Sequence, residues 1–92
     1  MVKVVFGSAL RSATNGEKEI ELDFSGDLKS LLQLLSDRYG DAFRKRLLDG
    51  DGYLKKYINA YIDGKDVRFI RGKETPVGGS VEILFLPAVS GG

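Results

Sequence analysis

The sequence predicts an α+β fold, a mixed sheet with helices packed on one of its faces. Three observations carry that reading. Ile20, Leu22 and Phe24 alternate with Glu19, Glu21 and Asp23, giving a strand with one dry and one wet side. Leu28, Leu31, Leu32 and Leu35 recur at helical spacing, so one apolar stripe runs down an amphipathic helix. Further strand-like runs flank that helix, and laying the stripe over the dry side of a sheet buries both. With 92 residues there is room for one core. We place a single domain at residues 1–87 and a flexible, extended tail at 88–92.

In chain order, Val2, Val4 and Phe6 alternate with Lys3 and Val5 and predict a first strand reaching about Leu10. Arg11 to Gly16 is polar and ends in Asn15-Gly16, a favoured hairpin pair, so this strand is expected to turn into the Glu19–Phe24 strand. Asp27 stands where a side chain can accept from the free N–H groups of a first helical turn. Gly40 stands where a helix can stop in a left-handed conformation. A second, shorter helix is expected over Asp41 to Leu48, burying Phe43 and Leu47 and broken by Asp49-Gly50-Asp51-Gly52. Ile58, Ala60 and Ile62 make a third strand, closed by the hairpin signal Asp63-Gly64. Val67 to Ile70 reads as a short fourth strand, Pro76 with Gly78-Gly79 as a turn, and Val81 to Leu86 as the last strand. Pro87 ends it, because proline brings no N–H to the ladder. The expected order is ββ–α–ββ–β.

Composition removes several functions. No cysteine means no disulfide, thiolate nucleophile or cysteine metal site. No histidine removes the usual general base near neutral pH and the commonest metal ligand. A chain this small without either reads as something other than an enzyme. No apolar run is long enough to cross a bilayer and the N-terminus has no signal-peptide pattern, so a cytoplasmic location is expected and no membrane partner. A net charge of +1 gives no global field for nucleic acid. Arg44, Lys45, Arg46, Lys55 and Lys56 do form a basic region, with Arg68, Arg71 and Lys73 further along. It reads as a solvated face with long stems lying over apolar surface rather than as a nucleic-acid surface, with docking of an acidic partner as a further reading. Asp49-Gly50-Asp51-Gly52 is a turn and not a calcium loop, since Tyr53 and Ala60 stand where further oxygen ligands belong. Gly72-Lys73-Glu74 lacks the upstream glycine and the following hydroxyl of a phosphate loop.

The C-terminus is the informative part. The last strand passes through Pro87-Ala88-Val89-Ser90 into Gly91-Gly92. Glycine has no Cβ, so a channel too narrow for other residues admits a terminal glycine carboxylate. Fully extended, Pro87 to Gly92 reaches at most ~20 Å beyond the body. The reading is a carrier whose working group is the Gly92 carboxylate. If Val81, Ile83 and Phe85 point at the helix, Leu84 and Leu86 point away from it, and Tyr61 and Val5 share their side. Exposed leucines beside such a tail predict a partner-binding patch of Val5, Tyr61, Leu84 and Leu86.

The element order and the Pro87-Ala88-Val89-Ser90-Gly91-Gly92 ending resemble the MoaD/ThiS group of ubiquitin-like sulfur carriers. Asp66-Val67-Arg68-Phe69, Ser80-Val81-Glu82-Ile83 and Leu86-Pro87-Ala88-Val89 are similar to its CysO branch, while Ala88 departs from MoaD tails, which usually carry a second proline. The resemblance implies a β-grasp fold and a terminal glycine that an E1-like, ATP-using partner adenylates and that is then converted to a thiocarboxylate. On this sequence Gly92 bears the sulfur, and Pro87, Ala88, Val89, Ser90 and Gly91 form the part that the partner binds. The chain itself then binds no cofactor, ATP and magnesium belonging to the activating enzyme. The leading expectation is the small subunit of a molybdopterin synthase, docked in a larger subunit. Alternatives are a CysO-like carrier for cysteine biosynthesis or another thiolation, a ubiquitin-like protein modifier, and an interaction module with an inert terminus.

Overall fold

The computed structural model describes residues 1–88. Seven strands and two α-helices follow one another as β1 (Val2–Phe6), β2 (Glu19–Leu22), β3 (Gly26–Asp27), α1 (Leu28–Tyr39), α2 (Asp41–Leu47), β4 (Ile58–Ile62), β5 (Lys65–Asp66), β6 (Pro76–Val77) and β7 (Glu82–Pro87). Five of the strands form one sheet in the order β2-β1-β7-β4-β5. Its central pair, β1 and β7, is parallel, and the other pairs are antiparallel. Registers set the faces: Val4 sits beside Ile20 on one side and Ile83 on the other, and Phe85 lies between Phe6 and Ala60. These side chains are buried and join Leu28, Leu31, Leu32 and Leu35 of α1 in one core. Burying a leucine side chain fully stabilises by roughly 1.5–3 kcal/mol, so the stripe alone is a large share of what holds the helix in place. A mixed sheet whose first and last strands run parallel at its centre, with helices on one face, is the β-grasp arrangement.

Local chemistry sets the helix ends. Asp27 Oδ1 accepts from the Ser30 N–H at 2.8 Å, and this hydrogen bond holds the Asp27 carboxyl below the ordinary carboxylate range. Gly40 has φ 78° and its N–H donates to the Ser36 carbonyl. Beside it, Arg44 donates to the Ser36 carbonyl and hydroxyl at 3.1 and 2.9 Å and to Asp41 Oδ1 at 2.7 Å. Arg44 of the basic region is therefore a clamp across the α1–α2 junction. The Lys55 ammonium donates to the Lys45 carbonyl, tying the following loop to α2. Phe43 and Leu47 are buried as the sequence predicts.

Five local expectations are corrected. The first strand stops at Phe6, and Ser8–Ala13 is a 3₁₀ turn that buries Leu10 and Ala13 at its three-residue spacing. Asn15 and Gly16 do have positive φ, 55° and 79°, but they close this longer connection and not a two-residue hairpin. Val67–Phe69 is also a 3₁₀ turn and not a strand. The Asp66 carboxylate accepts from the Arg68 N–H at 2.9 Å, a local bond that competes with strand pairing. Pro76 falls in β6, which pairs with β3, and the last strand runs Glu82–Pro87, one residue later than expected.

Candidate functional site

The wet side of the sheet and the point where β7 leaves it form one continuous surface. Strand alternation brings it about: with Ile83 and Phe85 in the core, Glu82, Leu84 and Leu86 face the other way. Leu84 lies between Val5 of β1 and Tyr61 of β4, and Leu86 lies opposite Asn59. The four residues predicted for the patch are thus together. None is fully exposed; each is half-buried, because neighbouring side chains on this face lie against one another. Beside Tyr61, Leu84 and Leu86 is a shallow hollow of about 350 Å³, which Gly64 and Glu82 also line. Asn59 Nδ2 lies 3.4 Å from the Tyr61 hydroxyl at its margin. Lys3 and Glu19 pair at 3.4 Å on the β1–β2 side. The surface therefore has an apolar centre with charges at its border.

Pro87 is half-buried opposite Ile58, and the Ala88 N–H donates to the Tyr57 carbonyl. Tyr57 is 65% exposed and stands at this exit. Val89, Ser90, Gly91 and Gly92, the residues expected to carry the reactive end, lie outside the described residues.

Several other charged groups are paired locally. Arg68 holds Asp66 through a two-pronged ion pair, with contacts of 2.6 to 3.1 Å, and these hydrogen bonds lower the Asp66 carboxyl. Burial raises the nearby Tyr53 hydroxyl. Asp49 Oδ1 accepts from the Asp51 and Tyr53 N–H groups, so this acidic run is a closed turn. Among the described residues no cluster of carboxylates is arranged to hold a metal ion, and no helix is long and apolar enough to cross a membrane.

Sequence reasoning missed Glu82, Gly64 and Asn59 as parts of this surface. Glu82 and Asn59 were within reach of the same alternation that placed Leu84 and Tyr61. Gly64 was not, since its place depends on how the β4–β5 turn folds back beside Glu82.

The class defined by this architecture is a ubiquitin-like β-grasp body with an apolar sheet face beside the exit of its last strand. The ThiS family profile matches residues 4–92, and the chain belongs to that family: it is a sulfur-carrier protein of the ThiS/MoaD/CysO type. The sulfur carrier protein CysO of Mycobacterium tuberculosis is 34% identical over 94 residues, covering 99% of this chain and 98% of that protein. Among solved structures, the BexX/CysO complex of Amycolatopsis orientalis contains a chain 32% identical with a TM-score of 0.84, each chain covered completely. Small archaeal modifier protein 1 of Methanosarcina acetivorans is 34% identical with a TM-score of 0.80, covering 99% of this chain and 95% of that one.

Proposed function

We propose that this chain is a CysO-type carrier that delivers sulfur as a thiocarboxylate at Gly92, for cysteine biosynthesis or a related thiolation. The observation that carries it is the full-length likeness to CysO, at 34% identity across 99% of the chain. The molybdopterin branch, first in the sequence reading, takes second place for that reason. An E1-like partner uses ATP and magnesium: the Gly92 carboxylate attacks the α-phosphate, pyrophosphate leaves, and the resulting acyl adenylate is open to nucleophiles. A sulfide-level sulfur then attacks the acyl carbon and AMP leaves, so the terminal C–O bond is replaced by C–S. The chain needs no cysteine for this and has none. Its contribution is to present the terminus and to be recognised, and it has no catalytic role of its own. Val5, Tyr61, Leu84 and Leu86 form the face that the activating enzyme binds. A partner acting on Gly92 must sit within ~20 Å of Pro87, which this face borders. The setting that supplies ATP and sulfide to such a partner is the cytoplasm.

The test is an intact mass after incubation with an E1-like enzyme, ATP, magnesium and sulfide. Replacement of one oxygen by sulfur, mapped to Gly92, is expected; no change with several such enzymes overturns the reading. Supplying the loaded carrier to a cysteine-forming acceptor enzyme and to a molybdopterin synthase large subunit then separates the branches, by which one consumes the thiocarboxylate.

A second reading, protein modification, is favoured by the 34% identity to the archaeal modifier protein. There a lysine amine of another protein attacks the acyl adenylate and an isopeptide forms as AMP leaves. An isopeptide-linked Gly-Gly remnant on proteins of cells expressing the chain is its signature.

A further inference from the structure

Gly7 follows β1 directly and has φ −59° and ψ 153°, a conformation open to any residue. Its backbone gives no reason for glycine. Its surroundings do. Its N–H donates to the Phe85 carbonyl at 2.9 Å, which holds it against β7. A Cβ built on Gly7 would lie 2.6 Å from Leu86 Cδ2 and 3.3 Å from the Phe85 carbonyl oxygen. The Leu86 side chain therefore occupies the space that a side chain at position 7 would take. Its Cδ2 lies over Gly7 at the end of β1, and Asn59 is its pairing partner on the β4 side. On that β4 side is the hollow lined by Tyr61, Gly64, Glu82, Leu84 and Leu86.

We infer that Gly7 is a positioning residue for partner recognition: by leaving room for Leu86 over the end of β1, it keeps this hollow open for an apolar side chain of the activating enzyme. The inference rests on the reading of this face as the activator's docking surface. The far end of a leucine moves readily, so a methyl group at position 7 displaces Leu86 rather than unfolding the chain. The displaced side chain turns toward Asn59 and Tyr61 and fills the hollow. Recognition suffers, while the chemistry at Gly92 does not.

The experiment compares full-length Gly7→Ala, Leu86→Ala and the double variant. It reads thermal midpoint, the Leu86 methyl resonances, and the kinetics of thiocarboxylate formation with an E1-like enzyme, ATP and sulfide. Gly7→Ala is expected to shift the Leu86 methyl signals, melt near the unaltered chain, and raise the carrier's KM several-fold with kcat unchanged. In the Leu86→Ala background it is expected to add nothing. Unmoved methyl signals, an unmoved KM, or an equal increment in both backgrounds overturns the inference. So does early melting of Gly7→Ala that Leu86→Ala fails to restore, since the conflict would then lie with the Phe85 carbonyl. If Leu86→Ala itself leaves KM unchanged, the docking face is wrong and the inference falls with it. If Leu86→Ala raises KM and Gly7→Ala does not, the inference alone falls.

Discussion

Leu84 lies directly opposite Tyr61 in the antiparallel β4–β7 pair, one position along the strand from fully buried Ile83. Two adjacent residues of one strand thus serve different purposes, Ile83 holding the core and Leu84 the outer surface. Ile83→Ala and Leu31→Ala should each destabilise by about 2–5 kcal/mol, as large-to-small changes in a packed core do. Leu84→Ala removes a half-buried side chain and should cost ~1 kcal/mol. Its larger effect should be on the KM of activation. Denaturant unfolding of the three variants checks the division; equal losses for Leu84 and Ile83 would contradict it.

Asp27 should give α1 an acid-sensitive anchor. Its folded-state carboxyl titrates below the ordinary range because it accepts the Ser30 N–H. A depressed folded-state pKa means a contribution that is complete above the unfolded value, about 3.9, and lost as pH falls through the lower folded value. Asp27→Ala should lower the thermal midpoint at neutral pH, and the difference from the unaltered chain should shrink in acid. Asp27→Asn keeps a capping oxygen without the charge. It should retain most of the stability at neutral pH and flatten the acid side of the curve. Thermal melts across pH for the three chains give the answer.

Much of this architecture was legible in the sequence because its signals are periodic. The Leu28 to Leu35 stripe, the Asp27 cap and the alternation through Ile58, Ala60 and Ile62 each specify a local geometry and a buried side at once. The division of β7 into a core side and an outer side follows from period two alone, and it placed Leu84, Leu86 and Tyr61 on one surface. Misreadings came where a local hydrogen bond outcompetes apolar patterning. Val67 to Ile70 reads as a strand from its side chains, yet the Asp66 carboxylate caps a 3₁₀ turn there. Leu10 reads as the end of a strand, but its burial comes through a turn that starts at Ser8. Gly7 gave no signal, since its importance lies in a contact with a residue seventy-nine positions away in the chain, Leu86.

The β4–β5 turn should depend on Gly64 through its backbone. Asp63 and Gly64 have φ of 48° and 87°, the doubly left-handed geometry of a two-residue hairpin, and Asp63 also accepts the Glu82 N–H at 2.9 Å. No atom stands within 4 Å of where a Cβ on Gly64 would be. Gly64→Ala therefore meets strain and no clash, and should cost about 1–3 kcal/mol. Gly64→Asn should cost less, because asparagine tolerates this region. Comparing the two by denaturant unfolding separates strain from packing, since a packing effect would penalise the larger residue more.

The terminus should be separable from the fold. Every buried side chain among the described residues lies before Pro87, so deleting Gly91 and Gly92 leaves that core untouched. The truncated chain should melt with the unaltered one and yet fail to acquire sulfur, which intact mass after incubation with an E1-like enzyme, ATP and sulfide would show. Appending one alanine after Gly92 is the sharper change. It leaves a carboxylate, keeps both glycines and moves the reactive carbon by one residue. A carrier whose terminus enters a channel shaped for glycine should lose activation almost completely with that extra residue. If the extended chain is activated as fast as the original, the activating enzyme is reading only the body of the protein. The glycine ending would then have no part in recognition.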